Sequence, residues 1–188
     1  MTKKEARILG LAAASGELEP IPVIGIVFRG NLWLDGIFRC QIRTKEHDCM
    51  SRLVSAIVRL RQYPQIHAVV IPKEALLSRV LLDISDFSNK INLPVISIAR
   101  RGLYRKEPTD RGLMPKSRTD VFSIRVSGRL VHVKVSGISR EETKEILDVA
   151  CMDGQQIPEA LRVAKIVAAQ VARRPPISNR KQRLNRTL

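Results

Sequence analysis

The stretch from His67 to Ile98 constrains the fold more than any other part of the chain. Two short apolar runs, His67–Ile71 and Pro94–Ile98, flank a predicted helix, Leu77–Asn89. A strand–helix–strand succession brings its two strands side by side and parallel, so part of the sheet is expected to be parallel. Arg7–Leu11 and Val23–Arg29 are apolar runs bounded by Gly and Pro, which predicts two further buried strands, and Trp33–Arg43 alternates as a third. From His47 to Gln62 the residues Met50, Leu53, Val54, Ile57, Val58 and Leu60 recur at helical spacing, with Asp48 in the first turn, where a carboxylate suits the helix dipole.

Val121–Ser127 and Leu130–Val135 read as a hairpin around Ser127-Gly128. Phe122, Ile124, Val126, Val131, Val133 and Val135 give it one buried face and leave the other wet. Ser139 with Glu142 is a capping box opening a helix over Arg140–Cys151, and Pro158 opens a last helix that runs to about Ala172. The expected fold class is α/β: a mixed sheet with flanking helices, in a single domain with an extended basic C-terminal tail.

Charge singles out two segments. The chain holds 33 Lys and Arg against 18 Asp and Glu, a net charge of +15, and 22 of the cations are Arg. An excess of this size in 188 residues implies a polyanionic partner, and the planar guanidinium fork suits phosphate oxygens. Residues 100–118 carry Arg100, Arg101, Arg105, Lys106, Arg111, Lys116 and Arg118 against Glu107 and Asp110. Residues 173–186 carry Arg173, Arg174, Arg180, Lys181, Arg183 and Arg186 with no acid. Gly102, Pro108, Gly112 and Pro115 make the first segment a loop, and Pro175-Pro176 favour an extended path in the second. The expected division is a domain over residues 1–172, including a basic loop at 100–119, and a basic extended tail at 173–188. These thirteen cations are the candidate nucleic-acid-binding residues.

Several function classes drop out. No apolar run approaches the ~20 residues of a membrane span, so no membrane partner is expected. The N-terminal apolar stretch is short and leads into Gly16-Glu17-Leu18-Glu19, which predicts a strand and loop rather than a secretory signal. Cys40, Cys49 and Cys151 lack CxxC spacing and fit a reducing, cytoplasmic setting. No phosphate-cradling Gly-rich loop or GxSxG occurs, and His47, His67 and His132 lack metal-pair spacing. No cofactor, metal or small-molecule substrate is expected from these residues. Asp35, Asp48, Asp83, Asp86 and Glu159 are the carboxylates open to a metal role, although Asp83 and Asp86 one turn apart are also what a solvated helix face gives.

Val23-Ile24-Gly25-Ile26-Val27-Phe28-Arg29-Gly30, Leu34-Asp35-Gly36, Leu93-Pro94-Val95-Ile96, Ser136-Gly137-Ile138-Ser139 and the run Ile157 through Ala168 resemble, in order and spacing, the archaeal endonuclease dU family. The likeness covers roughly residues 5–172. It implies a ribonuclease H-like fold related to endonuclease V, and metal-dependent cleavage of DNA near deaminated bases. The polar positions depart from the family. Its first strand ends Gly-Ile-Asp-Asp, where this chain has Gly10-Leu11-Ala12-Ala13. Its Asp-Gly-x-Asp is Lys45-Glu46-His47-Asp48, its Gly-Phe-Asn-x-x-Asp is Ser78 through Asp83, and its Ala-His is Ala164-Lys165.

Retention of the apolar scaffold with loss of the carboxylates at Ala12, Ala13 and Lys45 implies a degenerate member without catalysis. The expected function is non-catalytic nucleic-acid binding, with structured RNA favoured over DNA and a ribosome- or ribonucleoprotein-associated subunit as the setting, ribosomal proteins among the possible neighbours. Scarce aromatics, 4% of the chain, argue against a stacking platform for single strands. Two alternatives stay open: a working DNA endonuclease with a metal site rebuilt from Asp35, Asp48, Asp83 or Glu159, and a protein–protein adaptor in a larger complex.

Overall fold

The computed structural model describes residues 5–14, 19–43, 49–72, 83–99 and 120–173. Seven strands form one mixed sheet: β1 (Arg7–Ala13), β2 (Ile21–Arg29), β3 (Trp33–Ile42), β4 (Ile66–Pro72), β5 (Val95–Ala99), β6 (Asp120–Val126) and β7 (Arg129–Ser136). Their spatial order is β3-β2-β1-β4-β5-β7-β6. β1, β4 and β5 are mutually parallel, as the strand–helix–strand pattern requires, while β2, β3, β6 and β7 join through antiparallel ladders. The buried central strands are continuous apolar runs, and the outer strands alternate.

Alternation along each strand sends side chains to two helical layers. Leu9, Leu11, Val23, Val27 and Val69 meet α1 (Cys49–Val58) and α2 (Ile84–Ile91) through Leu53, Ile57, Phe87 and Ile91. On the other face, Ile8, Val70, Ile96, Val131 and Val133 meet α3 (Arg140–Ala150) through Ile146 and Leu147. Also on that face, α4 (Glu159–Arg173) lies over β1 and β2, with Ala160, Ala164 and Ala168 against Ala12, Ile24, Ile26 and Phe28.

The local signals hold where their chemistry is self-contained. Ser139 Oγ accepts from the Glu142 N–H while Glu142 Oε2 accepts from the Ser139 N–H, completing the capping box of α3. Ser127 and Gly128 take φ of 47° and 76°, the left-handed pair that a two-residue hairpin turn demands. Three boundaries differ from expectation. Of the helix predicted over Leu77–Asn89, residues 77–82 lie outside the described residues; α2 starts at Ile84 and runs on to Ile91, with the Asp83 carboxylate accepting from the Ser85 and Asp86 N–H groups as its cap. The helix predicted over His47–Gln62 ends at Val58 and gives way to a short 3-10 turn, Tyr63–Gln65, with Pro64 at its start. Arg173, assigned to the tail, closes α4 as an exposed cation in the last turn.

Candidate nucleic-acid interface and the carboxylate pole

The C-terminal ends of β1, β4 and β5 share one edge of the sheet, at Ala13, Pro72 and Ala99. Ala12 and Ala13 stand there in β1. Ala12 is 1% exposed and is enclosed with Ala160, Ala164 and Ala168 of α4. Ala13 turns to the opposite face, beside α1. Two residues before Ala12, Gly10 lies so close beneath α4 that a Cβ would come within 2.3 Å of the Ala160 carbonyl carbon. The edge of β1 is thus an apolar contact between small residues, and a methyl group offers a divalent ion no oxygen.

The carboxylates considered as ligands go elsewhere. Asp35 sits in a register shift of β3 at the N-terminal end of β1, where Arg7 Nε donates to its Oδ2 at 2.5 Å and Arg29 donates to its Oδ1 at 3.2 Å. The Arg7 hydrogen bond, against partial burial and with help from Arg29, holds the Asp35 carboxyl below the ordinary carboxylate range. Asp83 caps α2, and Asp86 pairs with Lys90 one turn on. Glu159 is buried and receives both Nε and a second nitrogen of Arg162 in a bidentate pair, which raises the guanidinium's affinity for its proton.

Among the described residues no three His, Cys, Asp or Glu side chains gather where they could hold a metal ion. Lys45 and Asp48 lie outside the described residues, as do the cations at 100–118 and 174–186; of the basic candidates only Arg173 is described. His132 lies on the outer face of the β6–β7 hairpin, its Nδ1 2.7 Å from Ser123 Oγ, and His67 Nδ1 is 3.0 Å from the Gln65 carbonyl, so both imidazoles serve local structure. The described carboxylates are thus placed apart from one another rather than at one cation site.

The endonuclease dU family matches this sequence over residues 4–172.

The chain belongs to the endonuclease dU family.

Relatives in that family include UPF0215 proteins of Methanothermobacter thermautotrophicus and Methanosarcina barkeri. Each is 26% identical, and the matches cover 90% of this chain and 89% or 92% of theirs. A protein of unknown function from Archaeoglobus fulgidus has a similar structure, with a TM-score of 0.70 at 20% identity over 89% of this chain and 99% of its own. Human endonuclease V follows at a TM-score of 0.62, 14% identity, and 89% and 84% coverage. Ciona intestinalis endonuclease V, solved with DNA containing an inosine followed by a ribo-adenosine, gives 0.53 at 11% identity, with 85% and 82% covered. These likenesses give the endonuclease dU chain an endonuclease V-like, ribonuclease H-like fold. No helix among the described residues is long and apolar enough to cross a membrane.

What sequence reasoning missed is the destination of Asp35. Its arginine partners are 28 and 6 residues away, and only strand register brings them to it. Gly10 did carry a signal, since a glycine inside a buried strand marks a close approach of another backbone.

Proposed function

We propose that this endonuclease dU family member is a non-catalytic nucleic-acid-binding protein that keeps the nuclease scaffold without its metal chemistry. The observation that carries the reading is Ala12, buried under α4 at the position where the family's first strand bears a carboxylate. Of the candidate ligands, Asp35, Asp83, Asp86 and Glu159 are engaged in a helix cap or ion pairs, which supports the same conclusion.

Binding is assigned to the two basic segments: Arg100, Arg101, Arg105, Lys106, Arg111, Lys116 and Arg118 in one, and Arg173, Arg174, Arg180, Lys181, Arg183 and Arg186 in the other. The first follows Ala99, at the edge where β1, β4 and β5 end. In open α/β sheets ligands gather beyond the carboxyl ends of the parallel strands. That an endonuclease V of this fold was solved with DNA supports nucleic acid as the partner. Structured RNA is favoured because Arg-rich extensions interrupted by Pro suit threading between RNA helices, where counterion release drives association. A cytoplasmic ribosomal or ribonucleoprotein particle is the proposed setting.

Sedimentation of native lysate through a sucrose gradient tests this reading. Salt-sensitive co-migration with ribosomal particles that ribonuclease abolishes is the expected result. Protein that stays at the top at every salt concentration overturns the ribonucleoprotein assignment. Magnesium-dependent nicking of deoxyuridine-containing DNA by the purified protein overturns the non-catalytic one.

A further inference from the structure

The opposite pole of the sheet exposes a group of large apolar side chains. At the β2–β3 turn Leu32 and Trp33 are 71% and 68% exposed, while Leu34 and Ile37, 58% and 61% exposed, pair with Phe28 and Ile26 and so flank the turn on the other face of the sheet. Trp33 is the chain's single Trp. Apolar groups left together in water mark a contact site.

Strand register sets cations beside them. Arg7 pairs with Arg29, and Arg29 with Trp33. Directly opposed residues on antiparallel strands share a face, so the three side chains form a row across β1, β2 and β3. Asp35 accepts from both arginines and leaves one positive charge over. Gln62 Nε2 donates to the Asp35 carbonyl at 2.8 Å, which brings the exposed Arg59 and Arg61 to the same corner. Four arginines, Arg7, Arg29, Arg59 and Arg61, thus gather on this side of the sheet around Asp35.

We propose that this hairpin is a second nucleic-acid contact, in which Trp33 stacks on an unpaired base and the arginines lie against the flanking phosphates. The inference rests on the reading that the chain binds nucleic acid, and places a contact at the pole opposite the C-terminal ends of β1, β4 and β5. An unpaired nucleotide joins a flat apolar face to an anionic tether, the pairing that this surface complements. A second copy of the chain is a poor occupant, because it would set one arginine row against another. Strand addition along β3 is also obstructed, since Gln62 holds the Asp35 carbonyl and the strand is irregular there. Seven residues of β1 separate the poles by roughly 20 Å, so an RNA touching both must run along the sheet.

The test titrates the full chain with a short RNA hairpin bearing an unpaired loop, followed by Trp emission and, with a labelled copy of the same RNA, by anisotropy. Quenching with the same midpoint as the anisotropy is expected, with affinity lowered on the order of tenfold in Trp33→Ala and largely kept in Trp33→Phe. Unaltered affinity in Trp33→Ala together with unquenched emission overturns the hairpin contact and leaves the binding reading standing. No anisotropy change at low salt overturns that reading as well. Equal quenching by polyglutamate assigns the hairpin to an acidic protein and overturns the base-stacking proposal.

Discussion

Gly10 of β1 and Ala160 of α4 touch backbone to backbone: a Cβ at Gly10 would stand 2.3 Å from the Ala160 carbonyl carbon and 2.5 Å from its oxygen. Neither atom belongs to a side chain that could rotate aside. Gly10→Ala must therefore push α4 off the sheet, at a cost of about 3 kcal/mol. Urea unfolding of the variant, with an unchanged slope and a lower midpoint, is the check.

Ala12→Asp restores one of the family's carboxylates to a site that is now 1% exposed and walled by alanines. An unpaired buried carboxylate is expected to cost ~4 kcal/mol when ionised, or to take up a proton instead. The variant should be less stable than the parent, increasingly so as the pH rises above the ordinary carboxylate range, and should not gain magnesium-dependent cleavage. Thermal melts across pH and a nicking assay read both outcomes.

Asp35→Asn leaves Arg7 and Arg29 facing each other without their shared anion, and about 1 kcal/mol of stability should go with it at neutral pH. The Asp35 carboxyl lies lower in the folded chain than in the unfolded one. Its contribution is therefore complete above the unfolded pKa and fades as the pH falls through the folded one. The gap between parent and variant should be full above the ordinary carboxylate range and close only as the pH falls below that range; a gap that persists in strong acid contradicts the assignment.

Burial, reinforced by the charges of Asp148 and Glu159, pushes the Cys151 thiol up to about 12. Thiolate is the reactive form, so Cys151 should resist iodoacetamide at pH 8 in the native protein and react after denaturation. Peptide mass mapping of labelled protein distinguishes the two states.

Arg174, Arg180, Lys181, Arg183 and Arg186 lie beyond α4. Changing all five to Gln should leave the melting temperature unaltered while reducing the magnitude of the salt slope of RNA affinity by up to about 4, at ~0.7–0.9 per lost phosphate contact. Binding isotherms at several salt concentrations give the slope directly.

The elements most legible in the sequence are those specified by neighbours in the chain. Ser127-Gly128 can hardly form anything but a tight hairpin turn, and Ser139 with Glu142 satisfies a helix end within four residues. Parallel pairing of β4 and β5 follows from the intervening helix. The start of α2 was less visible, because Asp83 reads as one more acid until the backbone turns its N–H groups toward it. At the C-terminal end of β1 the family resemblance identified which carboxylates were missing, but only packing shows that Ala12 lies buried under α4. The Arg7–Arg29–Trp33 row was out of reach, since it depends on the alignment of three strands that no local pattern states.

On the non-catalytic reading proposed above, the packing of α4 on Ala12 also makes a carboxylate difficult to regain there. A nuclease site lost by truncating carboxylates alone could be recovered one substitution at a time. Here the first reversion would have to survive inside a filled seam, before a metal or a second ligand existed to reward it. On that reading Ala164 and its neighbours on the helix act as a ratchet, which would steer change toward the surface rather than the old centre.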